Sequence, residues 1–120
     1  MRRFLWLWGP AIAWMGVIFY ASAQSETGAL GRVPDWITHG SVYFLLGLLL
    51  CRALAGGFAA PLRTRGALLA IALAVAYGIS DEWHQSFVPR RQSSVADVMK
   101  DAGGCSLAVL LRQWRFARRR

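Results

Sequence analysis

Between Ser80 and Gly104 the chain reads SDEWHQSFVPRRQSSVADVMKDAGG, which holds four of its six carboxylates, Asp81, Glu82, Asp97 and Asp101, and one of its two histidines, His84. A carboxyl group whose pKa burial brings toward neutrality can do general acid–base work beside an imidazole. Glu82 or Asp81 with His84 is therefore the candidate catalytic set, with Asp97 as the residue that would orient it. The other histidine, His39, falls near the start of an earlier apolar run, with Tyr43 one helical turn deeper. Arg91 offers a planar fork able to hold a carboxylate or phosphate through two hydrogen bonds. His39, Tyr43, Asp81, Gln85, Arg91 and Asp101 are the candidate ligand-binding residues. No nucleophile motif accompanies them. Two imidazoles and a carboxylate would suit zinc, but the spacing of His39 and His84 follows no recognised ligand pattern, so neither a metal nor a cofactor is expected.

Each of these residues also has a structural reading. Ser94-x-x-Asp97 fits a variant of the capping box, in which the hydroxyl accepts an N-terminal amide hydrogen bond and the acid favours the positive end of the helix dipole. A histidine at a membrane interface can serve only as a hydrogen-bonded structural residue, and Arg90 reads as a solvated loop charge.

The elements that must position these residues are four apolar runs, at about 4–22, 36–58, 66–82 and 94–111. A helix needs roughly 20 residues to cross ~30 Å of hydrocarbon at 1.5 Å per residue. The chain is 56% hydrophobic with a mean hydropathy of +0.37, above an ordinary soluble domain, so the expectation is one all-α domain over residues 1–120, a bundle of four transmembrane helices. The second run is the clearest by hydropathy. The third is short, and the fourth carries Asp97, Lys100 and Asp101 in its first two turns, positions that cost less at an interface than at mid-bilayer. Gly9-Pro10 should kink the start of the first helix unless a neighbour satisfies the freed carbonyl. Met1-Arg2-Arg3, an apolar stretch and Ala21-Ser22-Ala23 imitate a signal peptide. The stretch exceeds the usual core of about 7 to 15 residues, so it is expected to stay as a span.

Charge sets the expected orientation. Ten of the fourteen Lys and Arg residues lie at the termini and in the gap from Arg52 to Arg65, where there is no acid. The acids, Glu26 and Asp35 included, gather at the other two gaps. By the positive-inside rule both termini are cytoplasmic and the polar cluster is extracytoplasmic. Trp6, Trp8 and Trp114 at one level, and Tyr20, Trp36 and Trp83 at the other, fit interfacial belts. The net charge of +8 is distributed as clusters flanking apolar runs rather than along one polar helix face, which argues against nucleic acid and for contact with anionic lipid. Cys51 and Cys105, both within apolar stretches, read as small packing residues. Asp97, Asp101, Gly104 and Ala108 share one face of the fourth helix. Small residues and carboxylates on one face point into the bundle, away from lipid.

At Asp81, Glu82 and Gln85, then Phe87, Pro89 and Arg91, then Ser94, Asp97 and Gly104, the chain resembles the VanZ-like family of small bacterial membrane proteins. Upstream, Asp35, His39, Tyr43 and Gly47 match the family's pattern, and FYASAQS resembles the end of its first helix. Arg90 stands where the family usually has Gly, and Asp101 where it usually has Asn. The family takes its name from a protein associated with resistance to the glycopeptide teicoplanin. The resemblance implies a helical protein of the bacterial cytoplasmic membrane whose outward polar site lies close to cell-wall precursors and lipid headgroups.

Three functions remain open on these residues. The cluster engages a cell-envelope amphiphile, such as a lipid-linked precursor, a lipid phosphate or a glycopeptide such as teicoplanin; or Glu82 and His84 catalyse a reaction on a lipid-linked substrate; or the polar residues only cap and tie helices. Membrane lipids are the expected partners, no nucleic acid is, and a homo-oligomer is compatible with the sequence. A transporter is disfavoured, because four short helices leave little room for inverted repeats around a midplane site.

Overall fold

The computed structural model describes residues 1–23, 33–89 and 93–119. Glu26, Arg90, Arg91 and Arg120, and the side chain of Asp35, lie outside the described residues. The chain forms four helices: α1 (Arg2–Ser22), α2 (Asp35–Ala55), α3 (Thr64–Gln85) and α4 (Val95–Ala117). Three contacts fix their directions. Arg52 near the end of α2 meets the start of α1, Ser22 at the end of α1 meets Asp81 near the end of α3, and His39 near the start of α2 meets Asp101 in α4. The helices therefore alternate up and down, and one end of the bundle collects the end of α1, the start of α2, the end of α3 and the start of α4.

The bundle exposes large apolar side chains and buries several charged ones beside an apolar core. Leu68, Leu69 and Ile79 of α3 and Leu107 and Leu110 of α4 are exposed, whereas Arg52, Asp81, Glu82, Asp97, Asp101 and Arg112 are buried. Water would penalise that arrangement and hydrocarbon favours it, because lipid accepts leucine and rejects an unpaired charge. By length and composition α1, α2 and α3 can each cross a bilayer. Helix α4 is longer than any of them but carries more charge; Asp97, Asp101 and Arg112 all sit on its buried face. It packs on α2 and α3, and among the described residues makes no contact with α1.

Close helix approach comes from small residues. On α3 the buried stripe Ala67, Ala70, Ala74 and Gly78 continues through Asp81, Glu82 and Gln85. On α4 the buried face runs Asp97, Asp101, Gly104, Cys105, Ala108 and Arg112; Asp97, Asp101, Gly104 and Ala108 were expected there, and Arg112 was not. Gly104 sits directly against the backbone of Gly40, and a methyl group built on Gly47 would meet Cys105 Cα and Ala108 Cβ at 3.0 Å. The seam between α2 and α4 is therefore backbone on backbone.

The boundaries differ from expectation in three places. Helix α2 stops at Ala55, not near residue 58, because Gly56 takes the left-handed conformation (φ 82°) that ends helices. Helix α3 runs on to Gln85, three residues past the end of the apolar run near 82. Helix α4 continues six residues past 111, to Ala117. Its Arg112 turns inward and donates from Nη2 to Gly57 O at 2.6 Å and Ala60 O at 2.7 Å, tying the α2–α3 connection to the bundle.

Pro10 lies inside α1 and cannot donate to the carbonyl of Trp6, four residues back. Arg52 Nη1 supplies that hydrogen bond at 2.7 Å, reaches Leu7 O at 2.9 Å, and lies over the Trp6 ring at 4.8 Å. Read from sequence only as topogenic charges, Arg52 and Arg112 are also internal caps. Trp8, expected at an interface, packs partly buried against the core.

Candidate functional site

The polar residues assemble at the end of the bundle opposite Arg52 and Arg112, in two adjoining groups. In the first, Ser22 Oγ donates to Asp81 Oδ1, and Gln85 Nε2 donates to Ser22 Oγ at 3.3 Å. Asp81 and Gln85 are one turn apart on α3, so the expected proximity of these two acceptor- and amide-bearing residues holds. With His39, Tyr43 and Thr38 they line a cavity of about 90 Å³. The Tyr43 hydroxyl, on a side chain only 1% exposed, has no hydrogen-bond partner among the described residues.

The second group joins three helices. His39 Nδ1 and Asp101 Oδ1 are 2.8 Å apart, a hydrogen bond between α2 and α4. Glu82 of α3 faces the same pair: one imidazole nitrogen and one carboxylate oxygen from each acid lie within 4.8 Å of one another. Glu82 Oε2 accepts the backbone N–H of Ser94 at 3.1 Å. The capping arrangement at the head of α4 is therefore shared between helices. Ser94 Oγ accepts from Asp97 N at 3.2 Å, as the sequence suggested, but Ser94's own N–H goes to Glu82 rather than to Asp97. Asp97 bonds Lys100 Nζ at 3.1 Å instead.

His84 stands apart. Its ring stacks on Phe19 of α1, with centroids 4.3 Å apart and planes 13° from parallel. Residues two apart on a helix point about 200° from each other, so Glu82 and His84 face opposite sides of α3. The histidine nearest the Glu82 carboxylate is His39; of the two pairings expected from sequence, Glu82 with His84 does not form, whereas Asp81 and His84 both line a small pocket with Phe19 and Tyr77. Of the candidate residues, the structure gathers His39, Tyr43, Asp81, Glu82, Gln85 and Asp101, leaves Asp97 with Lys100 at the rim, and turns His84 toward α1. Arg91 lies outside the described residues.

Two residues that sequence reading did not single out for the site also shape it. Ser22 closes the cavity from α1, and Gly78 makes room for Asp101, whose Oδ2 would be 3.1 Å from a methyl group built there. The signal for Gly78 was available: it lies four residues before Glu82, on the same face of α3.

Outside the cluster, a groove of about 530 Å³ runs between the end of α3 and the start of α4. Ile79, Trp83, Val95 and Val98 supply apolar wall, and Glu82, Ser86, Ser93 and Ser94 supply polar lining. Glu82 is thus common to the buried cluster and the groove. The arrangement can bind a molecule with an apolar part along the helices and a headgroup that donates hydrogen bonds to carboxylates.

The VanZ/LLP1 family model matches residues 7–115. No curated protein and no solved structure matches the chain.

Proposed function

The chain belongs to the VanZ/LLP1 family, and we propose that its polar site engages an amphiphile of the bacterial cell envelope from the extracytoplasmic side of the cytoplasmic membrane. The observation that carries this reading is the α3/α4 groove, apolar along one wall and ending on the buried carboxylate of Glu82. A volume of about 530 Å³ falls within the range of small-molecule sites. The groove opens beside exposed Val95, Ile79 and Trp83, surface that a bilayer would cover, so an acyl or polyprenyl chain enters it without crossing water. The orientation rests on charge: basic residues concentrate at the end bearing both chain termini, and acids at the other.

The chemistry of the site narrows the amphiphile. Glu82, Asp81 and Asp101 are acceptors when ionised, and the described residues of the groove include no cation. A headgroup rich in hydroxyl, amide or ammonium donors, as in a lipid-linked precursor or a lipoglycopeptide, suits that lining better than a bare lipid phosphate. In this reading Arg91 holds whatever anionic group the ligand carries, and Trp36 and Trp83 sit at headgroup depth.

A catalytic version of the same reading has one specific support: Glu82 Oε1 is buried without a hydrogen-bond partner among the described residues, as a base awaiting a proton would be. The substrate would be lipid-linked, with His39 rather than His84 as the imidazole near Glu82.

The test is thermal stability of detergent-solubilised wild type, Glu82→Gln and Arg91→Ala against lipid-linked precursors, lipid phosphates and teicoplanin. One class should stabilise wild type, and well-folded variants should lose the shift. Product analysis with that compound then separates binder from enzyme. If no compound stabilises wild type, the amphiphile reading fails.

A further inference from the structure

His39, Glu82 and Asp101 come from three different helices and converge in the bundle interior, each offering one ligand atom within 4.8 Å of the others. Glu82 is 6% exposed and Asp101 fully buried. Each carboxylate keeps one oxygen, Glu82 Oε1 and Asp101 Oδ2, without a hydrogen-bond partner among the described residues. A buried ionised oxygen with no donor is costly, and two side by side are costlier because their charges repel. The nearby cation, Lys100, is engaged by Asp97 on the neighbouring turn. The His39 imidazole, bonded to Asp101 Oδ1, accounts for only one of the four carboxylate oxygens, and Ser94 N–H for a second.

We propose that this cluster binds one divalent first-row transition-metal cation, zinc or manganese, through His39, Glu82 and Asp101. A dipositive ion satisfies both orphaned oxygens and offsets two carboxylate charges at once. The mixed nitrogen and oxygen donors select zinc or manganese over calcium and magnesium, which favour all-oxygen sites. Four-coordinate metal–ligand bonds of about 2.0 to 2.2 Å place ligand atoms about 3.3 to 3.6 Å apart, so the widest separation must close by about 1 Å, a movement that rotation of the Glu82 side chain supplies. Three protein ligands leave a coordination position open, and Glu82's place on the α3/α4 groove puts that position beside it. The cysteines take no part: Cys105 lies one turn deeper on α4, with its Sγ against Ala70 O at 3.7 Å.

The inference stands without the amphiphile reading, and its test uses the metal alone. Purified full-length protein in detergent micelles is stripped with a chelator, dialysed against Zn²⁺, Mn²⁺ or Mg²⁺, and its bound metal measured by mass spectrometry. Wild type should retain one Zn²⁺ or Mn²⁺ per chain and no Mg²⁺. Asp101→Asn keeps the shape and the hydrogen bond to His39, and Glu82→Gln keeps an acceptor for Ser94. Both should stay folded by circular dichroism and weaken metal binding by at least the about 10- to 100-fold that loss of an outer-shell partner costs. Asp97→Asn, a carboxylate lost outside the cluster, should retain wild-type stoichiometry. Wild type holding no more metal than empty micelles would overturn the proposal, as would folded Glu82→Gln and Asp101→Asn binding as wild type does. If Asp101→Asn fails to fold, Glu82→Gln decides.

Discussion

Replacing Gly104 by alanine tests whether the polar cluster depends on the α2–α4 seam. The new methyl group would fall inside contact distance of Gly40 O and 3.0 Å from both Gly40 C and Gly40 Cα. These are backbone atoms, with no rotamer to adopt. Ordinary carbon–carbon contact needs about 3.5 to 4.0 Å, so α2 and α4 must part by about 0.5 to 1 Å. His39 precedes Gly40, and Asp101 lies one turn before Gly104, so the same movement stretches their 2.8 Å hydrogen bond toward its limit. Overpacking costs about 1 to 3 kcal/mol, and losing a hydrogen bond to a charged group about 1.5 to 3 kcal/mol. Gly104→Ala should therefore lose about 2.5 to 6 kcal/mol, measured by reversible denaturant unfolding in micelles. Gly103→Ala is the control, since a methyl group there meets nothing within 4 Å. It should be neutral or slightly stabilising, as alanine is the better helix former. Combining Gly104→Ala with Asp101→Ala should give less than the sum of the two, because each removes the same hydrogen bond to His39. Equal stability of the Gly103 and Gly104 variants, or strict additivity in the cycle, would show that the polar cluster does not depend on the α2–α4 seam.

Other perturbations follow from the same contacts. Arg52→Met should destabilise by about 1 to 3 kcal/mol by leaving Trp6 O unsatisfied; adding Pro10→Ala, which restores the helical donor, should recover part of the loss in the same unfolding assay. Tyr43→Phe removes a buried hydroxyl that has no partner among the described residues, so thermal melting should be unchanged or raised. Gly78→Ala would press on Asp101 Oδ2 at 3.1 Å, and its melt should be lower than that of Gly9→Ala, where the added methyl group meets open space.

Much of this architecture was legible before the structure. Four apolar runs foretold four helices, three of which are long and apolar enough to cross a membrane, and the segregation of acid from base foretold an acidic and a basic end. The inward face of α4 followed from Asp97, Asp101, Gly104 and Ala108 lying at helical spacing. Partners were harder. Glu82 and His84 are two residues apart, which looks close in sequence but points them apart on a helix. His39 and Asp101 are 62 residues apart, and only the approach of α2 to α4 at Gly40 and Gly104 joins them. Arg52 and Arg112 carried a second meaning that charge counting hides: each turns inward to satisfy carbonyls, of Trp6 and Leu7 in one case and of Gly57 and Ala60 in the other. The Ser94 cap was visible, but not that Glu82 of another helix completes it, since that depends on tertiary placement.

In the proposed function the acidic end of the bundle is an extracytoplasmic ligand site. Ser86 is exposed in the α3/α4 groove, and both native cysteines are buried, so a single Ser86→Cys change introduces a reportable thiol. The most direct measurement is its labelling rate by a membrane-impermeant maleimide in spheroplasts, with and without added lipid-linked precursor. An extracytoplasmic ligand site gives labelling of intact spheroplasts, slowed by the precursor. Labelling only after the membrane is permeabilised, or at a rate the precursor leaves unchanged, would contradict it.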